Sequence, residues 1–71
     1  MGMTIYLNGK KEEAKDKMTI AKLLKEKSIR PEVVTVEVND NIIDRSKYDE
    51  TILKDKDKIE FVYYMGGGYA F

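Results

Sequence analysis

Three consecutive glycines, Gly66-Gly67-Gly68, come directly after an apolar run that alternates with period two. Glycine has no side chain to pack and loses the most backbone entropy on ordering, so such a triplet cannot continue a core strand. The run before it, Lys58 to Tyr64, reads as a strand with Ile59, Phe61 and Tyr63 facing inward and Glu60, Val62 and Tyr64 facing outward. The pattern therefore predicts a folded body over residues 1–65 and a thin glycine-rich tail over 66–71. Six residues span at most about 20 Å. Without Cβ atoms, Gly66 to Gly68 can thread a channel that bulkier residues would block.

The body has little to work with chemically. Its 71 residues allow one small domain, and domains of this size bury only about 60% of their unfolded surface. There is no cysteine and no histidine, so thiolate and imidazole nucleophiles, bases and metal ligands are missing. The chain is expected to be neither an enzyme nor a holder of a bound metal or cofactor. Thirteen basic and thirteen acidic residues give a net charge of zero, and they are mostly interspersed. That describes a solvated surface and argues against nucleic acid as a partner, which needs a one-sided basic face. No apolar run approaches the roughly 20 residues of a bilayer span, and no signal peptide is visible. No membrane partner and a cytoplasmic location are expected. Met1-Gly2 is given no role.

Met3-Thr4-Ile5-Tyr6-Leu7 alternates as a strand burying Met3, Ile5 and Leu7. Asn8-Gly9 is a hairpin signal, because a type I′ turn needs positive φ at both positions. Lys10 to Lys15 returns as a polar edge strand whose lysines discourage edge pairing. From Met18 to Ile29 the period changes to helical: Ile20, Leu23, Leu24 and Ile29 share a face, Thr19 is the N-cap, and Arg30-Pro31 ends the helix. Val33 to Val38 is a β-branched strand with Val34, Val36 and Val38 inward, followed by a turn at Asn39-Asp40-Asn41. Ile42-Ile43 reads as a short strand, and Asp44 to Thr51 as a polar connection with a helical turn near Tyr48. Ile52-Leu53 is expected to plug the core, and Asp55-Lys56-Asp57 to turn into the last strand. This order is satisfied by a helix crossing one face of a mixed sheet with the first and last strands parallel at its centre.

A β-β-α-β-β order, Val38-Asn39 followed by Ile42-Ile43, then Leu53-x-Asp55-x-Asp57-x-Ile59 leading to a terminal glycine pair, resembles the ThiS/MoaD-type sulfur carriers, nearest the ThiS branch. The resemblance runs from about Met3 to Gly68. It implies an α+β, ubiquitin-like β-grasp fold: a mixed four- to five-stranded sheet with one helix packed across one face. Two departures stand out. Lys56 occupies the place of the family's usual glycine between the two aspartates, and Tyr69-Ala70-Phe71 follows a glycine pair that is terminal in the mature family.

The resemblance implies a carrier of sulfur. In its short extension, of the kind a JAMM-type metalloprotease removes, the chain resembles the carriers of cysteine or homocysteine synthesis more than the ordinary carriers that serve the thiazole of thiamine. Here cleavage between Gly68 and Tyr69 would free the Gly68 carboxyl. An E1-like adenylating enzyme would activate it with ATP, a sulfur donor would convert it to a thiocarboxylate, and an acceptor enzyme would take the sulfur. Gly66 and Gly67 form the rest of the working tail; whether Gly66-Gly67 or Gly67-Gly68 is the active pair stays open. Tyr6, Val62 and Tyr64, on the sheet face away from the helix, are candidates for partner docking. Two other readings stand beside this one: a ubiquitin-like modifier joined to lysines through Gly68, and a plain β-grasp interaction module.

Overall fold

A computed structural model of the chain describes residues 2–63. The element order is β1 (Gly2–Leu7), β2 (Lys10–Lys15), α1 (Ile20–Glu26), a 3-10 turn at Pro31–Val33, β3 (Val34–Val38), β4 (Asn41–Ile43), a second 3-10 turn at Arg45–Lys47, and β5 (Lys58–Tyr63). One mixed sheet of five strands runs β2-β1-β5-β3-β4. β1 and β5 are parallel neighbours at its centre, and every other pairing is antiparallel. This is the arrangement the sequence order implies. Gly2, left without a role above, is part of β1 and pairs with Lys15.

The core forms where the inward positions of the sheet meet the apolar stripe of the helix. Met3, Ile5, Leu7, Val34, Val36, Val38, Ile59 and Phe61 face Ile20, Leu23 and Leu24, with Ala14, Met18, Tyr48 and Leu53 completing the cluster. No charged or polar side chain is buried among the described residues. Each fully buried aliphatic side chain contributes about 1.5–3 kcal/mol, and in so small a domain these few supply most of the driving force.

Both tight hairpins use positive φ. Asn8 (φ 50°) and Gly9 (φ 83°) join Leu7 to Lys10, as a type I′ turn requires. Asn39 (φ 51°) and Asp40 (φ 72°) join Val38 to Asn41 in the same way, so Asn41 already belongs to β4.

The helix is shorter than its apolar period suggests. Thr19 caps its start, its Oγ1 accepting from Lys22 N at 3.2 Å. It ends at Glu26, well before Arg30-Pro31. Ser28 takes the left-handed conformation (φ 60°), Ser28 N donates to the Lys25 carbonyl and Ile29 N to the Leu24 carbonyl at 2.9 Å. That is the paired bonding of a Schellman motif, and it brings Ile29 back toward Leu24. A serine in place of the usual glycine hid this stop.

Leu53 plugs the core as expected, but Ile52 does not: it is 54% exposed, against 2% for Leu53. Ile52 forms an extended bridge with Thr19, and neighbouring residues of extended chain point to opposite sides. Asp44 caps the second 3-10 turn; bonds from Ser46 N and Oγ hold its exposed carboxyl below the usual aspartate range.

The Asp55-Lys56-Asp57 turn sets the entry of β5. Asp55 Oδ1 accepts from Thr4 N at 2.8 Å, and Lys56 N donates to the Thr4 carbonyl. Asp57 accepts from Lys54 N at 2.8 Å and from Asn39 Nδ2 at 2.9 Å, while Asn39 Oδ1 accepts from Lys58 N. The two carboxylates thus tie the turn to β1 on one side and to the β3–β4 hairpin on the other. Lys56 itself sits at φ 71°, which explains why glycine suits this place. A left-handed lysine costs about 1–2 kcal/mol. Lys56→Gly returns that strain but gives back somewhat under 1 kcal/mol through the freer unfolded chain. The net expectation is a stabilisation of about 0.5 kcal/mol, read as a higher urea midpoint at unchanged slope; a lower midpoint would show the strain to be illusory.

Candidate functional site

β5 is the last described element before Gly66-Gly67-Gly68 in the chain, so its anchoring is where the described part of the candidate site begins. Its antiparallel ladder with β3 covers the strand from Val38↔Ile59 to Val34↔Tyr63. Its parallel contact with β1 is brief, Tyr6↔Lys58 and Leu7↔Ile59, because β1 turns away at Asn8. Asn8 extends that contact by one step. Its backbone N donates to the Ile59 carbonyl at 2.9 Å, and its side-chain Oδ1 accepts from Phe61 N at 2.9 Å. The residue that makes the hairpin thus also fastens β5 beyond the end of β1. Asn8→Gly keeps the positive φ but removes this acceptor. It is expected to cost about 1 kcal/mol and to speed amide exchange at Phe61 selectively; unchanged protection there would deny Asn8 this part.

Tyr6 and Val62 lie where the alternation puts them, on the sheet face opposite the helix, 37% and 47% exposed. The register separates them. Tyr6 stands beside Lys58, and Val62 is four residues further along β5, roughly 13 Å at strand rise. Glu60 lies between them on the same face, and the cross-strand neighbour of Val62 is Thr35. They are two spots on one face, not one patch.

Tyr63 departs from the inward reading of its strand. Its partner Val34 is fully buried, yet Tyr63 is 48% exposed. The cause is position: β1 has already turned at Asn8, so the last residue of β5 has β3 as its strand neighbour and nothing of β1 beside it. The period alone could not show this, because exposure here depends on where a strand distant in sequence ends. Tyr64, Gly66, Gly67, Gly68 and Tyr69, and with them the boundary between body and tail, lie outside the described residues. Among the described residues, no cluster of acidic side chains is arranged to hold a metal ion. No helix there is long and apolar enough to cross a membrane.

The ThiS family sequence model matches residues 3–68 of this chain. The chain belongs to the ThiS family. Its similarity to the sulfur carrier protein ThiS of Bacillus subtilis is 42% identity over 65 residues, covering 90% of this chain and 98% of that protein. It is also 38% identical over 66 residues to the thiazole synthase of Magnetococcus marinus; there it spans 93% of itself but only 20% of the larger protein's length. Among solved structures, the crystal structure of the thiamine biosynthesis protein ThiS from Geobacter metallireducens superposes with a TM-score of 0.81 at 36% identity, covering 93% of this chain and all of that one. The resemblance read from Val38-Asn39, Ile42-Ile43 and the Asp55-x-Asp57 entry is thus a family relationship, and the fold is the β-grasp of ThiS.

Proposed function

We propose that this chain is a sulfur carrier of thiamine biosynthesis, working through the α-carboxyl of Gly68. One observation carries the proposal: the family match ends at Gly68, the last of the three glycines, and Tyr69-Ala70-Phe71 lies beyond it. The likeness to the B. subtilis carrier over nearly all of that protein supports the same role.

The chemistry follows from the carboxyl. As an α-carboxylate, with an ordinary pKa of about 3.5, Gly68 is ionised at neutral pH and unreactive as an acyl group. While it is joined to Tyr69 it is an amide and offers no carboxylate at all. Hydrolysis of the Gly68–Tyr69 bond, by a metalloprotease of the JAMM type, exposes it. The carboxylate oxygen then attacks the α-phosphorus of ATP on an E1-like partner, releasing pyrophosphate and forming the acyl adenylate. Sulfide attacks the carbonyl carbon, the bond to the AMP oxygen breaks, and Gly68 ends as a thiocarboxylate. A persulfide donor reaches the same product once a thiol reduces the resulting acyl disulfide. Glycine helps at each step, since no Cβ hinders the carbonyl or the passage of Gly66 and Gly67 through a partner's channel. The body is taken to contribute no catalytic group; it holds the tail and offers Tyr6 and Val62, two separate spots on the sheet face away from the helix, for docking.

The acceptor proposed is a thiazole synthase. In the M. marinus protein of that name a segment like this chain makes up one part of a longer polypeptide, and an arrangement joining the carrier to its acceptor supports the pairing. The test is direct. The trimmed chain, incubated with a cognate adenylating enzyme, ATP and sulfide, should gain the mass of one oxygen-to-sulfur exchange at its C-terminus. Conjugates on lysine instead of that mass would mark a modifier.

A further inference from the structure

The chain is neutral as a whole, but the helix separates its charges. On one flank Glu13, Asp16 and Glu26, with Lys15 among them, border a shallow depression beside Gly2. On the other flank an open groove of about 400 Å³ has an apolar lining of Ala21, Leu24, Ile29 and Pro31, with Lys25 and Arg30 on it as well. The groove exists because of the Schellman turn. Ser28 in the left-handed conformation and the Ile29 N to Leu24 carbonyl bond redirect the chain beside the helix it has just left. Ala21 and Ile29 remain only partly buried against the core.

The cations around this groove are uncommitted. Lys27 is paired with Glu12 at 2.6 Å on the other side of the helix, and Arg45 is engaged with the carbonyls of Pro31 and Glu32. Among the described residues, Lys22, Lys25 and Arg30 form no salt bridge. Lys22 does not line the groove; it stands between Lys25, three positions on, and Glu26, four positions on, and adds to the positive charge near the rim. The nearest acids along the chain, Glu26 beside Lys25 and Glu32 beside Pro31, do not line the groove.

We propose that this groove docks a partner segment whose Leu, Ile or Phe side chains are flanked by Asp or Glu. The apolar lining recovers the transfer energy of the buried side chain. Lys22, Lys25 and Arg30 steer and orient the acidic flanks, which is where charge complementarity acts most. The groove lies on the helix side, and Tyr6 and Val62 lie on the opposite face. Its occupant therefore does not compete with a partner on the sheet, and a carrier can be held from both sides at once. The proposal is independent of the sulfur chemistry.

Two synthetic peptides with the same Leu-Leu-Phe centre test it, one flanked by Asp and Glu and the other by Lys. Each is titrated into the ¹⁵N-labelled 71-residue chain, up to about 1 mM peptide, a range that captures weak docking. The acidic peptide is expected to shift the amides of Ala21, Leu24, Lys25 and Ile29, and the basic peptide to leave them in place. The double variant Lys25→Glu, Arg30→Glu, both positions exposed, should retain a dispersed spectrum and bind the acidic peptide about tenfold more weakly or worse. Raised salt should weaken the wild-type shifts. Absence of shifts at the highest concentration, equal response to both peptides, or shifts confined to Tyr6 and Val62 would each overturn the proposal.

Discussion

A chain ending at Gly68 is expected to be adenylated by its activating partner, and the 71-residue chain ending at Phe71 is expected not to be. The difference is expected to be large because it is chemical rather than conformational. The uncut chain has an amide where the reaction needs an anionic oxygen, and the carboxylate it does carry, on Phe71, is three residues too far along and has an aromatic side chain beside it. Partner-dependent exchange of pyrophosphate into ATP should be at background for the full chain and robust for the trimmed one, a gap of at least about 10³-fold, equivalent to roughly 4 kcal/mol in the barrier. A third chain, ending at Gly67, separates the two candidate pairs. If Gly67-Gly68 is the working pair, shortening the tail by about 3.5 Å draws the carboxylate back from the phosphate and most of the exchange is lost. If Gly66-Gly67 is the pair, the chain ending at Gly67 is the active one. Gly67→Val in the chain ending at Gly68 supplies the steric control: a β-branched side chain both stiffens the tail and widens it, so exchange should fall while the urea midpoint of the body stays where it was. Equal exchange by the full and trimmed chains would remove the need for processing altogether.

Most of this fold was legible because local and global preferences agree. Met3, Ile5 and Leu7, then Val34, Val36 and Val38, keep a strict period of two, and all six are buried. Asn8-Gly9 announced its own turn, and Thr19 its helix. What escaped was set by contacts distant in sequence or by residues standing where another type is usual. Ser28 holds a left-handed position normally given to glycine, so the end of the helix was silent; Lys56 holds another, marked in the sequence only by the family's usual glycine at that place. Ile52 and Tyr63 are apolar and sit in apolar runs, but their exposure depends on a bridge to Thr19 and on β1 turning away at Asn8. The candidate site was legible in a different sense. The glycine triplet and the family resemblance pointed to Gly68, which lies outside the described residues, while the separation of Tyr6 from Val62 needed the register of β1 against β5.

Tyr48 is the largest omission, and it leads to the second large effect. In the sequence it stands in a polar stretch between Lys47 and Asp49, with no period to mark it as core. In the structure it is 4% exposed, and its hydroxyl accepts from Val36 N at 3.3 Å. The second 3-10 turn carries it inward. Asp44 starts that turn by accepting from Ser46, and the backbone that follows bonds to the start of α1: Ala21 N donates to the Tyr48 carbonyl and Ile20 N to the Thr51 carbonyl. The ring therefore fills the core beneath β3, and the carbonyls of Tyr48 and Thr51 each accept one amide donor from the start of the helix. Tyr48→Ala removes a buried aromatic, about 3–5 kcal/mol by analogy with other large-to-small core changes, and leaves Val36 N without that acceptor. Against a total stability of about 5–15 kcal/mol, lowest for the smallest domains, this is expected to leave much of the protein unfolded at 37 °C. Tyr48→Phe keeps the ring and loses only the hydroxyl, so it should cost about 1 kcal/mol. The contrast between the two variants in thermal unfolding separates packing from hydrogen bonding; similar losses for both would mean that the hydroxyl, not the ring, holds the connection in place. Because Val36 pairs with Phe61 on β5, loosening at Tyr48 should also reach the strand that bears the tail, and sulfur loading of the trimmed Tyr48→Phe chain should fall less than its stability does.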